Sequence, residues 1–186
     1  MALVPSVMKE LGTVAAPFAL PDVVSGRIVN AEEYRRMDAF LVIFMCAHCP
    51  YVQHVEHEIA NIGFDFADEN VGIVAISSNF VGTYPDDAPE KLKEQALRLG
   101  FKFPYLYDES QQVARAYGAV CTPDFFLFDP DMKLAYRGQL DGSRPGNNVP
   151  VNGKDLRFAI NALLAGRMPP EDQRPSIGCN IKWKPR

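Results

Sequence analysis

No apolar run approaches the roughly 20 residues that cross a bilayer, which excludes a membrane-spanning helix. The beginning of the chain, Met1-Ala-Leu-Val-Pro-Ser-Val-Met-Lys-Glu10, lacks a basic segment followed by an apolar one. No secretory signal is read there, and a cytoplasmic location is expected. Basic residues are not in excess: 19 Lys and Arg stand against 23 Asp and Glu, for a net charge of −4. That balance leaves no electrostatic footprint for nucleic acid. There is no internal repeat. Cysteine is scarce, at four residues. In a compartment that keeps thiols reduced, a close pair of cysteines is more often catalytic or metal-binding than a structural staple.

What is present is enough apolar residue, 47% of 186, for one sizeable core. Residues 1–166 are expected to form one domain. Residues 167–186, rich in proline and without periodicity, read as an irregular tail that wraps over the domain or moves.

The chain is organised around Leu41-Val-Ile-Phe-Met-Cys-Ala-His-Cys-Pro50. The run Leu41 to Met45 reads as a strand buried on both faces. Pro50 suits the first turn of a helix. Beyond it Val52, Val55, Ile59, Ile62 and Phe66 recur in steps of three and four, one face of an amphipathic helix. Cys46 and Cys49 therefore sit where a buried strand becomes a helix.

Elsewhere, Ser25-Gly26 lies between short extended segments as a hairpin turn. A short helix is expected from Ala31 to about Met37. Val71 to Ser77 is a second buried strand. A polar loop, Asn79 to Ala88, precedes a helix from Pro89 to Leu99 that Gly100 ends. Phe103 to Tyr107 reads as a short strand. Ser110 can cap a helix reaching Tyr117. Phe125-Phe-Leu-Phe128 and Lys133 to Arg137 read as a hairpin, and Leu156 to Leu164 as a last helix. The Asp86-Asp87 and Asp108-Glu109 pairs read as solvated loop charges and helix-start residues. Lys182, Lys184 and Arg186 read as a solvated terminus. The alternation argues for an α/β fold, a central mixed sheet flanked by helices.

A helix N-terminus favours a thiolate through its dipole and free N–H groups. Cys46 is read as the nucleophile, meeting solvent and carrying a lowered pKa. Cys49 is read as the resolving thiol that attacks a mixed disulfide and releases the partner. His48, between them, can stabilise a thiolate; the bland alternative is an exposed histidine without a role. Cys46, Cys49, His54 and His57 also make a set that zinc accepts. One rigid helix would have trouble closing a tetrahedron with them, so no metal is assigned.

Four features resemble a known superfamily. They are Ala16-Pro-Phe-Ala-Leu-Pro-Asp22, the strand–Cys46-Ala-His-Cys49–Pro–helix corner, Tyr117-Gly-Ala-Val-Cys-Thr-Pro123 before a strand, and the hairpin from Phe125 to Arg137. Together they resemble the alkyl-hydroperoxide-reductase/thiol-specific-antioxidant (redoxin) superfamily, over roughly residues 12 to 165. Residues Pro175 to Lys184 resemble the tail of a bacterial subgroup described as thiol–disulfide isomerases. The resemblance implies a thioredoxin-like fold with an N-terminal hairpin, and a cis bond at Thr122–Pro123 facing the redox pair. There Thr122 would present its backbone to an extended substrate. It also likens His48 to the histidine before the second cysteine in strongly oxidising periplasmic oxidoreductases.

Two departures stand out. The proline and threonine that surround a peroxidatic cysteine are absent. The buried aspartate that thioredoxins carry six residues before the first cysteine is replaced by Phe40.

The expected function is thiol–disulfide exchange through Cys46 and Cys49 without a cofactor. The partners would be protein or small-molecule disulfides and dithiols together with a thiol electron donor. A thiol-dependent peroxidase with antioxidant activity, and a redox-sensing or zinc-bound interaction module, are the alternatives. Four cysteines allow three pairings, and one helical turn between Cys46 and Cys49 suits a disulfide. Cys121 is expected as a partly exposed thiol at the rim, able to link a homodimer on oxidation. Cys179 reads either as a buried tail cysteine or as a thiol relaying oxidation to the main pair.

Overall fold

A computed structural model describes residues 3–185. In chain order the strands and helices are β1 (Leu3–Pro5), β2 (Ala19–Pro21), β3 (Ile28–Asn30), β4 (Ala39–Phe44), α1 (Pro50–Asp65), β5 (Val71–Ser77) and α2 (Pro89–Leu99). They continue with β6 (Tyr105–Tyr107), α3 (Gln112–Tyr117), β7 (Cys121–Thr122), β8 (Asp124–Phe128), β9 (Leu134–Gly138), α4 (Lys154–Leu164) and β10 (Ile177–Asn180). The helix expected after Asn30 is one 3-10 turn, Ala31–Tyr34.

Five strands form the central sheet in the order β6-β5-β4-β8-β9. β4 is parallel to β5 and antiparallel to β8. All six of its residues are apolar and buried, as expected of a strand covered on both faces. Alternation divides them. Leu41 and Ile43 pack with Val52, Ile59 and Ile160 of α1 and α4. Phe40, Val42 and Phe44 pack on the opposite face with Phe18, Tyr34, Tyr117 and Phe126. Each such side chain contributes about 1.5–3 kcal/mol over leaving it exposed. Phe40 stacks on Tyr34 at 4.5 Å, so this position is core and offers no proton carrier.

The β4–α1 corner forms because its parts agree. The apolar run ends at Met45, Cys49 takes the extended N-cap conformation, and Pro50 is the first helical residue. Its fixed φ suits that place, and its missing N–H costs nothing there. The helix then buries Val52, Val55, Ile59 and Ile62. The hairpin β2–β3 turns through Ser25 and Gly26, where the Asp22 carboxylate accepts from Ser25 N and Ser25 Oγ.

The tail differs from expectation. Instead of remaining irregular, it supplies β10, the middle strand of a second sheet ordered β1-β10-β7. Ile181 joins the core face that holds Phe44. The Arg115 guanidinium lies 4.3 Å over the Trp183 ring. Lys182 is buried rather than solvated. Its Nζ donates to Asn180 O and Oδ1, and its carbonyl accepts from Phe80 N and Gln111 Nε2. Arg186 lies outside the described residues. None of the described helices is long and apolar enough to cross a membrane.

Candidate active site

The loop from Met45 to Cys49 leaves the carboxyl end of β4 and is held from below by one carboxylate. Asp87 Oδ1 accepts from the backbone N–H groups of Ala47 (2.9 Å) and His48 (3.0 Å). Its Oδ2 accepts from Asn79 Nδ2 at 2.8 Å and from His48 Nδ1. Asp87 is fully buried, which corrects the solvated reading of the Asp86-Asp87 pair. Burial alone would raise its pKa. Hydrogen bonds from His48 and Asn79 outweigh that and hold the carboxyl below its ordinary value. Asp108 is likewise buried, accepting from Ser78, Ser110 and the N–H of Ala114. It is a helix-start residue, as read, but not a solvated one.

His48 Nδ1 faces both Asp87 and the Cys46 sulfur, which is 3.7 Å away. A carboxylate can only accept, so the Nδ1 proton goes to Asp87, the stronger charge-assisted partner. His48 Nε2 is buried without a partner among the described residues. The ring lies tilted against Tyr84, centroids 4.7 Å apart. His48 is thus anchored by Asp87 before it can serve a thiolate.

The second wall is Thr122, whose bond to Pro123 is cis. Thr122 Oγ1 is 3.5 Å from Cys46 Sγ, and its carbonyl oxygen is 3.3 Å from Cys49 Sγ. All four cysteines are free and buried. Cys46 therefore does not meet solvent, contrary to the sequence reading. Its pKa is pushed well up, first by burial, then by donation to Cys49 and by the Asp87 carboxylate. Cys49 moves the other way, down to about 5. Its sulfur accepts from Cys46, outweighing burial, and faces the Cys179 thiol and the N–H of Val52 at the helix start. The opposed shifts favour charge on Cys49 over Cys46, at the helix N-terminus that stabilises a thiolate. The thiolate signal in ultraviolet absorbance is expected to persist down to pH about 5 and to vanish in Cys49→Ser protein. A signal that survives that substitution would place the charge elsewhere.

Cys121 is buried, not a partly exposed rim thiol; its sulfur lies 3.9 Å from the Pro123 carbonyl and burial raises its pKa. The zinc set read from the sequence is not assembled: His54 Nε2 pairs with Ser143 Oγ at 2.8 Å, and His57 is exposed. Among the described residues, Cys46, His48 and Asp87 are the group whose donor atoms lie within 4.8 Å of one another. Both Asp87 oxygens and His48 Nδ1 are already spent on hydrogen bonds. A cation would have to break the anchor that shapes the loop.

Asp87, Asn79 and Tyr84 escaped the sequence reading. So did Asp124, next to Pro123. Its carboxyl is fully buried with no hydrogen-bond partner among the described residues, and burial pushes its pKa well up. No periodic or spacing signal marks any of them.

The profile of the AhpC/TSA family matches residues 11–137. The chain belongs to the AhpC/TSA family. This family places it among the redoxins, and at that level the chemistry is that of a thiol oxidoreductase. An uncharacterized conserved protein from Geobacillus kaustophilus is 52% identical, with 100% of this chain and 98% of that one covered and a TM-score of 0.98. More distant solved structures share the fold. The thioredoxin domain of a thiol-disulfide oxidoreductase from Bacteroides vulgatus is 19% identical over 81% of this chain and 98% of that one, with a TM-score of 0.60. A peroxidoxin from Mycobacterium tuberculosis is 20% identical over 84% and 97%, with a TM-score of 0.63. A search of curated proteins gave no significant match. The fold of this AhpC/TSA protein is thioredoxin-like, a central mixed sheet flanked by helices.

Proposed function

We propose that this AhpC/TSA protein is a thiol–disulfide oxidoreductase that works through Cys46 and Cys49. The observation that carries this is two buried cysteines one turn apart at a helix start, with Thr122 against both sulfurs. In the reducing direction Cys46 hands its proton to Cys49 and attacks a substrate disulfide. One substrate sulfur leaves and takes up a proton, and a Cys46–substrate bond remains. Cys49 then attacks the Cys46 sulfur, and the second substrate thiol departs. Substrate gains two electrons, and the protein is left with a Cys46–Cys49 disulfide that a thiol donor must reduce. The reverse sequence oxidises a dithiol. His48 and Asp87 hold the loop on which Cys46 rides. Both sulfurs are closed to solvent, so a protein substrate needs the cover to move first. Protein or small-molecule disulfides are the substrates of this reading, and the cytoplasm its setting.

The test is turnover of a protein disulfide with a small dithiol as reductant. Catalytic turnover that depends on Cys46 and Cys49 supports the reading; none, with or without a chelator, overturns it. Activity that appears only after chelation, with the thiols masked until then, would point to a metal-bound module.

Family membership favours a second reading, a thiol peroxidase. Cys46 lacks the proline and threonine surround, and burial keeps it protonated. Without that surround nothing orients the peroxide oxygens against the sulfur, so peroxide consumption is expected to be no faster than that of an ordinary free thiol. Stopped-flow oxidation far above that level would favour the peroxidase.

A further inference from the structure

The outer edge of β7 is where an incoming extended segment would add as a strand. The tail of this chain already fills it. β10 runs antiparallel to β7 with Cys179 opposite Thr122, and β1 covers the far side of β10. Gly178 permits the fit, because a β-carbon there would come 2.0 Å from the Thr122 carbonyl oxygen. Residues directly opposite in an antiparallel ladder send their side chains to the same face, Cβ atoms about 4.5–5.5 Å apart. Cys179 therefore stands on the face of Thr122, the residue that touches both redox sulfurs. Cys46, Cys49 and Cys179 share one buried cluster. β10, which carries Cys179, packs on α1, the helix that Cys49 caps.

We propose that Cys179 is a third redox thiol, which draws Cys49 away from Cys46 by internal exchange and closes a Cys49–Cys179 disulfide under the tail. This rests on the reading of Cys46 and Cys49 as a redox pair. In the exchange Cys179, giving up its proton, attacks the Cys49 sulfur of the Cys46–Cys49 disulfide. The Cys49–Cys179 bond forms, the Cys46–Cys49 bond breaks, and Cys46 takes up a proton and returns as a thiol. No electrons are gained or lost overall. The two-electron oxidation moves from the loop to the tail strand, and β10 becomes covalently tied to the helix it covers. Such a bond is shielded until it exchanges back or the tail lifts.

The experiment treats the full chain with diamide, a small oxidant that takes up two electrons and two protons per pair of thiols. Remaining thiols are alkylated under denaturing conditions, and linked peptides are mapped by mass. Wild type is expected to give both Cys46–Cys49 and Cys49–Cys179. Cys46→Ser is expected to give an intramolecular Cys49–Cys179 bond, and Cys179→Ser only Cys46–Cys49. If Cys46→Ser keeps Cys49 and Cys179 free, or links Cys179 to Cys121, the proposal is overturned. That result alongside a normal Cys46–Cys49 bond in wild type would leave the redox pair standing. Wild type with neither bond would sink the pair itself, and this inference with it. Should Cys179→Ser fail to fold, the Cys46→Ser result decides alone.

Discussion

Cys49→Ser protein is expected to accumulate a covalent complex with a disulfide substrate, linked through Cys46, while Cys46→Ser loses turnover to the level of uncatalysed exchange. The order follows from position. Cys46 is carried by the loop before the helix, next to Ala47 and His48, which are only partly buried. Cys49 is the N-cap, lodged among Thr122, Val52 and Cys179. Without Cys49 the position one turn on has no thiol to resolve the mixed disulfide, and the first bond formed persists. Non-reducing electrophoresis with mass mapping reads the outcome. A complex trapped on Cys49 in Cys46→Ser protein, with Cys49→Ser still turning over, would reverse the roles.

Asp87→Ala should cost about 3–5 kcal/mol of stability, the range for breaking a buried charged network by removing one partner. Few domains can spare that much, since the total is about 5–15 kcal/mol. The loss is large because one carboxylate serves four donors: two loop N–H groups, His48 and Asn79. Alanine leaves all four without an acceptor. The loop that carries Cys46 then loses its geometry, and turnover is expected to fall by about 10²-fold, the order that a misplacement of about 1 Å can cost. The pH dependence has a defined sign. A carboxyl whose folded pKa is depressed contributes fully above its unfolded value, near 3.9 for aspartate, and less as pH falls through the folded value. The difference between wild type and Asp87→Ala should therefore be largest at neutral pH and narrow as pH falls below about 4, through the depressed folded value. Denaturant unfolding at several pH values checks this. A constant difference across that range would mean that Asp87 acts by shape rather than charge.

The part of the site that follows from local pattern was readable in the sequence. An unbroken apolar run, a proline and a spacing of three and four residues place Cys46 and Cys49 at a strand–helix corner without any partner being known. The hairpin β8–β9 was readable for the same reason, and Thr122–Pro123 was placed by resemblance. What could not be read depends on partners distant in the chain. Asp87 lies about two turns of chain past Asn79 in a polar loop, and only the return of that loop under Ala47 and His48 removes it from water. β10 has no apolar alternation to announce it; it exists because β1 and β7 offer it two edges. The exposure expected for Cys46 and Cys121 failed for that reason too, since the tail and its neighbours cover the ground that an open thioredoxin-like corner would show. His48 was read beside its sequence neighbours, whereas its Nδ1 proton belongs to Asp87.

The account stands or falls on whether Cys46 and Cys49 form one reversible couple. The direct measurement is a redox titration of Cys179→Ser protein in glutathione buffers, quenched by alkylation and mapped by mass. The prediction is a single two-electron transition, tenfold in the equilibrium ratio per about 30 mV, with the Cys46 and Cys49 thiols lost together as one internal bond. Loss of Cys46 alone, as a glutathione adduct that Cys49 does not resolve, would contradict it.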